Sequence, residues 1–217
     1  ENSGNKETTN NTNLDLNPDS KEGKDVISQL KDLTISNEDF LKSDKKKLNL
    51  EKMIMLFKVF STMNILKNDS KPVHIFEHIY IGSIGAAQNK EALVEAQIKY
   101  IINAAASTKC LFPDDFKYYK IENLLDSPDS DITQYFEKAC AFIKEAEEKK
   151  ENILVHCHAG ISRSSTLIIA YLIKEKGMSF DEGFKLCKEK REKINPNEGF
   201  VKQLREYESV RKSKSEV

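Results

Sequence analysis

No two cysteines in this chain form a CxxC pair. Cys110, Cys140, Cys157 and Cys187 stand far apart, which argues against a zinc cluster or a secreted disulfide framework and fits a reducing compartment, cytoplasmic or nuclear. Net charge is missing as well. The 34 basic residues face 35 acidic ones, so no global field calls for nucleic acid as a partner. No apolar run approaches the roughly 20 residues that make a transmembrane segment. The lysine-bearing nucleotide loop GxxxxGK[ST] does not occur, which disfavours NTP hydrolysis. There is no internal repeat. The chain opens at Glu1 rather than methionine, so a removed targeting or lipidation signal would leave no trace.

What is present is unevenly spread. The chain is 39% hydrophobic, enough for a core, yet 32% charged, which is high for a compact body and implies an unpacked segment. Residues 1–45 fit that description. They are rich in Asn, Thr and Ser with almost no large apolar side chains, cannot offset their ordering entropy, and are expected to be disordered. A weak amphipathic patch at Val26, Ile27, Leu30 and Leu33 predicts a transient helix. Within 46–70, Leu50, Met53, Ile54, Phe57, Phe60 and Ile65 recur at near-helical intervals between lysines. That spacing predicts an amphipathic helix from about Leu48 to Leu66, covering an apolar patch of the domain that follows. Residues 71–211 form that domain, and 212–217 read as a flexible tail.

The domain alternates strands and helices. HIYIG is a strand ending at Gly82, Glu91–Ala96 a helix, KYIINAAA a buried strand and KYYKIENL another. Ile132, Phe136, Ala139, Ile143 and Ala146 lie on one helical stripe. NILVHC is nearly all apolar, as befits a strand covered on both faces. Helices follow at Ser164–Lys176, Ser179–Lys193 and about Glu198–Val210. Ser179 with Glu182 makes a capping box, and Gly177 stops the preceding helix. The pattern is α/β, a central sheet flanked by helices.

HCHAGISRSS, from His156 to Ser165, holds the chemistry. A cysteine beside an apolar strand is ordinarily inert core. Here Ala159, Gly160 and Ser162 let the backbone curl so that successive N–H groups form an anion nest. The helix beginning near Ser164 points its positive end at the same place, and Arg163 adds a fork matched to two phosphate oxygens. The loop His158–Arg163 is thus suited to bind a phosphoryl group. The same field should keep Cys157 a thiolate nucleophile at neutral pH.

Expelling an alkoxide or phenolate needs a proton donor on the far side of phosphorus. Asp114 and Asp115 follow Pro113 as turn residues, Asp131 resembles an N-cap, and Asp129 sits in the turn before it. Asp126, where a strand yields to a Ser-Pro loop, stands where a mobile acid can close over the site, and is the chosen acid. Ser164 can donate to the sulfur as it leaves, while His156 orients the loop. His158 is a rim residue open to solvent. His74 and His78 lack ligand spacing, so no metal is assigned. Cys110, Cys140 and Cys187 read as core.

HCHAGISRSSTLIIAYLI resembles the extended signature of the dual-specificity protein phosphatases, HCxAGxSRSxTxxxAYL. IYIGSIGAAQNKEAL resembles that family's opening strand and helix, YYKIENLLDSPDSDITQYFEKACAFI its acid-loop segment, and REKINPNEGFVKQLREYE its closing helix region. The resemblance covers roughly Val73–Glu208. It implies Cys157 as nucleophile, Arg163 as phosphate clamp, Ser164 as leaving-group helper and Asp126 as general acid. It also implies a mixed sheet of about five strands with helices on both sides, no metal or other cofactor, and a shallow site that admits phosphotyrosine, phosphoserine and phosphothreonine. Lysines that hold extra phosphates in phosphoinositide phosphatases are missing from this loop, which favours a phosphoprotein substrate. The residues before the domain are too few and too polar for a rhodanese-like docking module, so the chain resembles an atypical, single-domain member.

Lys45–Leu50, KKKLNL, has the basic cluster and Leu-x-Leu pattern that acidic-grooved MAP kinases bind. A basic amphipathic helix equally suits calmodulin or an anionic membrane. Two rival functions remain open at this stage: a phosphoresidue-binding scaffold without turnover, and a phosphatase of RNA 5′ ends, lipids or glycans.

Overall fold

The computed structural model describes residues 43–106 and 108–215, with side chains from 49 to 213. The expectations for residues 1–42, disorder and the patch at Val26–Leu33, lie outside the described residues. The chain divides into two units, Glu1–Met63 and Asn64–Val217. Residues 64–70 therefore belong with the catalytic domain, which starts earlier than the sequence boundary at 71.

Helix α1 runs Ser43–Asn68, beyond both ends of the predicted span. Its apolar residues crowd every side rather than one stripe. Leu50, Met53, Ile54, Met55, Phe57 and Phe60 are exposed.

Five strands make one sheet, in the order β1-β2-β5-β3-β4. They are β1 (Val73–Phe76), β2 (Ile79–Gly82), β3 (Ile98–Asn103), β4 (Lys117–Lys120) and β5 (Asn152–His156). β1 pairs antiparallel with β2, and the rest run parallel, giving the mixed sheet expected. β1 precedes the strand HIYIG read from the sequence, and four residues are too few to show a clear period. Glu77, at φ 45°, folds the two strands into a hairpin. Period-two alternation then assigns the faces. Ile79, Ile81, Ile153 and Val155 point into the larger core, whereas Leu154 and Tyr80 point into the smaller one. A register shift between Ile98 and Tyr100 lets Ile98 and Ile101 share the smaller core while Tyr100 and Ile102 face the larger.

The smaller core is covered by α2 (Ile84–Gln88) and α3 (Lys90–Glu95), through Ala87 and Leu93. α2 is too short to show a helical period in the sequence. The larger core gathers α4 (Phe136–Glu148), α5 (Arg163–Lys176), α6 (Phe180–Lys190) and α7 (Glu198–Ser215). The predicted stripe Ile132, Phe136, Ala139, Ile143 and Ala146 is wholly buried. Gly177 ends α5 with φ 65°, and the Ser179–Glu182 capping box opens α6. α6 stops at Lys190 rather than Lys193 because Arg191 is extended. α7 continues to Ser215, so residues 212–215 are helical rather than tail.

Phe136 is 1% exposed and meets Tyr207 of α7 edge-on, centroids 4.9 Å apart. Phe136→Ala should therefore cost about 3–5 kcal/mol of unfolding free energy, read from urea unfolding. A loss under about 1 kcal/mol would mean that the core around it collapses to fill the space.

Candidate active site

The signature loop joins the C-terminal end of β5, the central strand, to α5. Parallel α/β sheets place ligands at that edge, between strands whose connections diverge. Here β5 is flanked by β2 and β3, whose following segments leave toward different elements.

Each carbonyl of residues 158–162 is claimed from outside the loop. His158 O accepts from Ile84 N (3.1 Å) and Ile161 O from Asn195 N (3.0 Å). Gly160 O and Ala159 O accept from Arg191 at 3.0 and 3.2 Å. Ser162 O accepts from Ser165 and Thr166 hydroxyls, both at 2.8 Å. A trans peptide sets its N–H opposite its C=O. Turning these five oxygens outward aims the N–H groups of Ala159, Gly160, Ile161, Ser162 and Arg163 at the concave side. Gly160 makes the turn at φ 65°, and a Cβ there would lie 2.6 Å from both Gly82 O and an Arg191 nitrogen. Only glycine fits.

Cys157 is 1% exposed, with its Sγ 3.3 Å from Ser164 Oγ. Ser162, rather than Ser164, takes the N-cap position of α5, which frees Ser164 from capping. The Arg163 guanidinium is anchored from behind, donating to Ala104 O and Leu124 O at 3.2 and 3.3 Å. Its buried Nε has no hydrogen-bond acceptor among the described residues, although Asp126 Oδ2 stands 3.4 Å away. That pair has ion-pair distance without hydrogen-bond geometry.

Asp126 thus meets the loop. Its Oδ1 accepts from Ser162 Oγ at 2.7 Å and from Asn197 Nδ2 at 3.0 Å. The loop behind it is gripped by α7. Gln203 accepts from Ile132 N and donates to Ser130 O, both at 2.9 Å. Gly199 packs so closely that a Cβ would fall 2.0 Å from Pro128 O. Asn197, Gly199 and Gln203 were not singled out from the sequence. The turn signal NPNEG before a helix was the available clue, and Asn197 does cap α7 by accepting from Phe200 N.

Of the other aspartates, Asp131 accepts from Thr133 N at 2.9 Å and Asp115 pairs with Lys90 at 2.7 Å. His158 is half-buried rather than solvated, and burial, then Arg163, lowers the pKa of its ring. Cys140 and Cys187 are buried, with thiols pushed up to about 12 by burial, whereas Cys110 is only partly buried. His74 bonds Glu77 O and His78 bonds Asn152.

This sheet and loop define a hydrolase of the protein-tyrosine-phosphatase type. The family model "Dual specificity phosphatase, catalytic domain" matches residues 79–210, more than half of the chain, and the chain belongs to that family. Dual specificity protein phosphatase 1 of Arabidopsis thaliana is 35% identical over 76% of this chain and 82% of its own length. MAP kinase phosphatase with leucine-rich repeats protein 3 of Dictyostelium discoideum is 43% identical over 64% of this chain and 16% of its own. Human tyrosine phosphatase-like serine/threonine/tyrosine-interacting protein, a solved structure, is 32% identical. It covers 65% of this chain and 98% of its own, with a TM-score of 0.61. No helix among the described residues is long and apolar enough to cross a membrane.

His156 sits directly before Cys157, 2% exposed, its Nδ1 3.4 Å from Cys157 O. Burial drives its pKa down to about 4, against that hydrogen bond and helped by Arg163. The unfolded ring takes a proton near pH 6.5. The neutral ring therefore contributes stability that is complete above about pH 6.5 and is lost toward pH 4, by up to about 1.4 kcal/mol per unit. Thermal unfolding followed from about pH 7 to about pH 4.5 should fall less steeply in His156→Asn. An identical slope in that variant would place the acid sensitivity elsewhere.

Proposed function

We propose that this phosphatase hydrolyses phosphotyrosine and phosphoserine/threonine in proteins through a phosphocysteine on Cys157. The thiolate attacks phosphorus while the bond from phosphorus to the substrate oxygen breaks. Arg163 and the inward amides hold the equatorial oxygens, where charge is greatest in the transition state. Asp126, in its acid form, gives a proton to the departing oxygen. Water then attacks phosphorus, returns a proton to Asp126 and releases the thiolate, to which the Ser164 hydroxyl donates a hydrogen bond.

The outward tie of all five loop carbonyls is the observation that carries this reading, because it leaves a ring of donors that packing does not require. The buried, unaccepted Nε of Arg163 points the same way. Cys157→Ser should lower p-nitrophenyl phosphate turnover by about four orders of magnitude or more, and retained turnover would reject the nucleophile.

Asp126→Asn should slow alkyl phosphates by about a hundredfold or more and aryl phosphates less, because a phenolate departs more readily without a proton. Equal losses on both would remove Asp126 from the acid role.

For partners, we place a MAP kinase at Lys45–Leu50, a reading supported by the Dictyostelium relative's name. A second functional reading, a phosphoresidue-binding scaffold, is raised by the solved interacting protein. No expected catalytic residue is missing here, which favours turnover. Phosphopeptide binding by the purified chain without phosphate release would reverse that order.

A further inference from the structure

We propose that Asp69, outside the matched residues 79–210, is a positioning residue for the phosphate loop, acting through Arg191; the inference rests on the phosphate-loop reading above. Arg191 stands 122 positions along the chain from Asp69. It donates to Asp69 Oδ1 at 3.0 Å and to Oδ2 at 2.7 Å. The pair is buried, its side chains 5% and 15% exposed. The Arg191 Nε donates to Gly160 O, and the amino group that meets Asp69 Oδ2 donates to Ala159 O as well. A guanidinium is planar, so a carboxylate that fixes one edge also fixes the angle at which the other edge meets the loop.

Those two carbonyls share peptide planes with the N–H groups of Gly160 and Ile161. Asp69 therefore aims two of the five inward donors without touching the substrate. Lys193 adds a second cation, 2.6 Å from Asp69 Oδ2. Burial raises the Asp69 pKa, but the bonds from Arg191 and Lys193 outweigh it and the net shift is downward. Hydrogen bonds from Ser83 Oγ to Asp69 O and from Asp69 N to Ile65 O fix its backbone as well.

An amide in place of this carboxylate keeps its shape but sets an N–H₂ against a guanidinium N–H, so Arg191 rotates off the carbonyls. The test uses the full chain and tungstate, a phosphate-shaped oxyanion, with affinity measured by calorimetry and unfolding recorded in parallel. Asp69→Asn should bind tungstate about tenfold more weakly, the order of one charge-assisted hydrogen bond, while still unfolding cooperatively. Arg191→Lys, which cannot fork to both carbonyls, should lose at least as much, and the double variant no more than Arg191→Lys alone. Affinity within about twofold of the unaltered chain in a folded Asp69→Asn protein would overturn the proposal, as would losses that multiply in the double variant. Should Asp69→Asn fail to fold, Arg191→Lys decides: weakened binding supports the role and unaltered binding overturns it. An unaltered chain that binds no tungstate would sink the phosphate-loop reading and this proposal together. Normal tungstate binding without p-nitrophenyl phosphate turnover would sink only the catalytic reading.

Discussion

Peptide planarity is the constraint on which this site depends. A loop of six residues cannot satisfy its own polar groups, so each oxygen must be taken by something outside it. α2, α5, the segment around Asn195 and the Arg191 guanidinium share that task. Once the oxygens are claimed, the direction of the N–H groups is no longer free. The inward aim of those N–H groups is thus set by the loop's surroundings, and the signature residues mainly permit it. Gly160 permits the turn and Ser162 the link to Asp126. The sheet sets the location, because β5 lies between two parallel neighbours.

Much of this was legible because it is local. The apolar run NILVH, the stripe on α4, the capping box at Ser179 and the stop at Gly177 are short-range patterns that geometry obeys. The cysteine, arginine and aspartate could be named from residue chemistry and a family likeness, and the structure sets Ser164 beside Cys157 and Asp126 beside Ser162 and Arg163. What escaped was non-local or cryptic. The hairpin at Glu77 lies in VHIFEHIYI, which holds none of the Gly, Pro, Asn or Asp residues that mark a tight turn. α1 has the right residue types for an amphipathic helix, but Met55 and its neighbours spread the apolar surface around it. Asp69 and Arg191 meet only in three dimensions, and nothing in their separate neighbourhoods announces a pair.

The treatment of Asp126 marks the limit of local reasoning most clearly. A Ser-Pro loop after a strand suggests freedom of movement, and from sequence alone that suggestion is sound. Sequence alone does not reveal the tertiary contacts that the loop makes. Asn197, Gln203 and the bare backbone of Gly199 hold the loop against α7, and the Ser162 hydroxyl ties its carboxylate to the phosphate loop. Asp126 and the signature loop are therefore joined by a direct hydrogen bond.

That close packing of Gly199 against Pro128 has a corollary for how the site tolerates change. Any side chain larger than hydrogen at Gly199 would drive the Pro128 backbone away, and the shift would reach Asp126, two residues earlier in the chain.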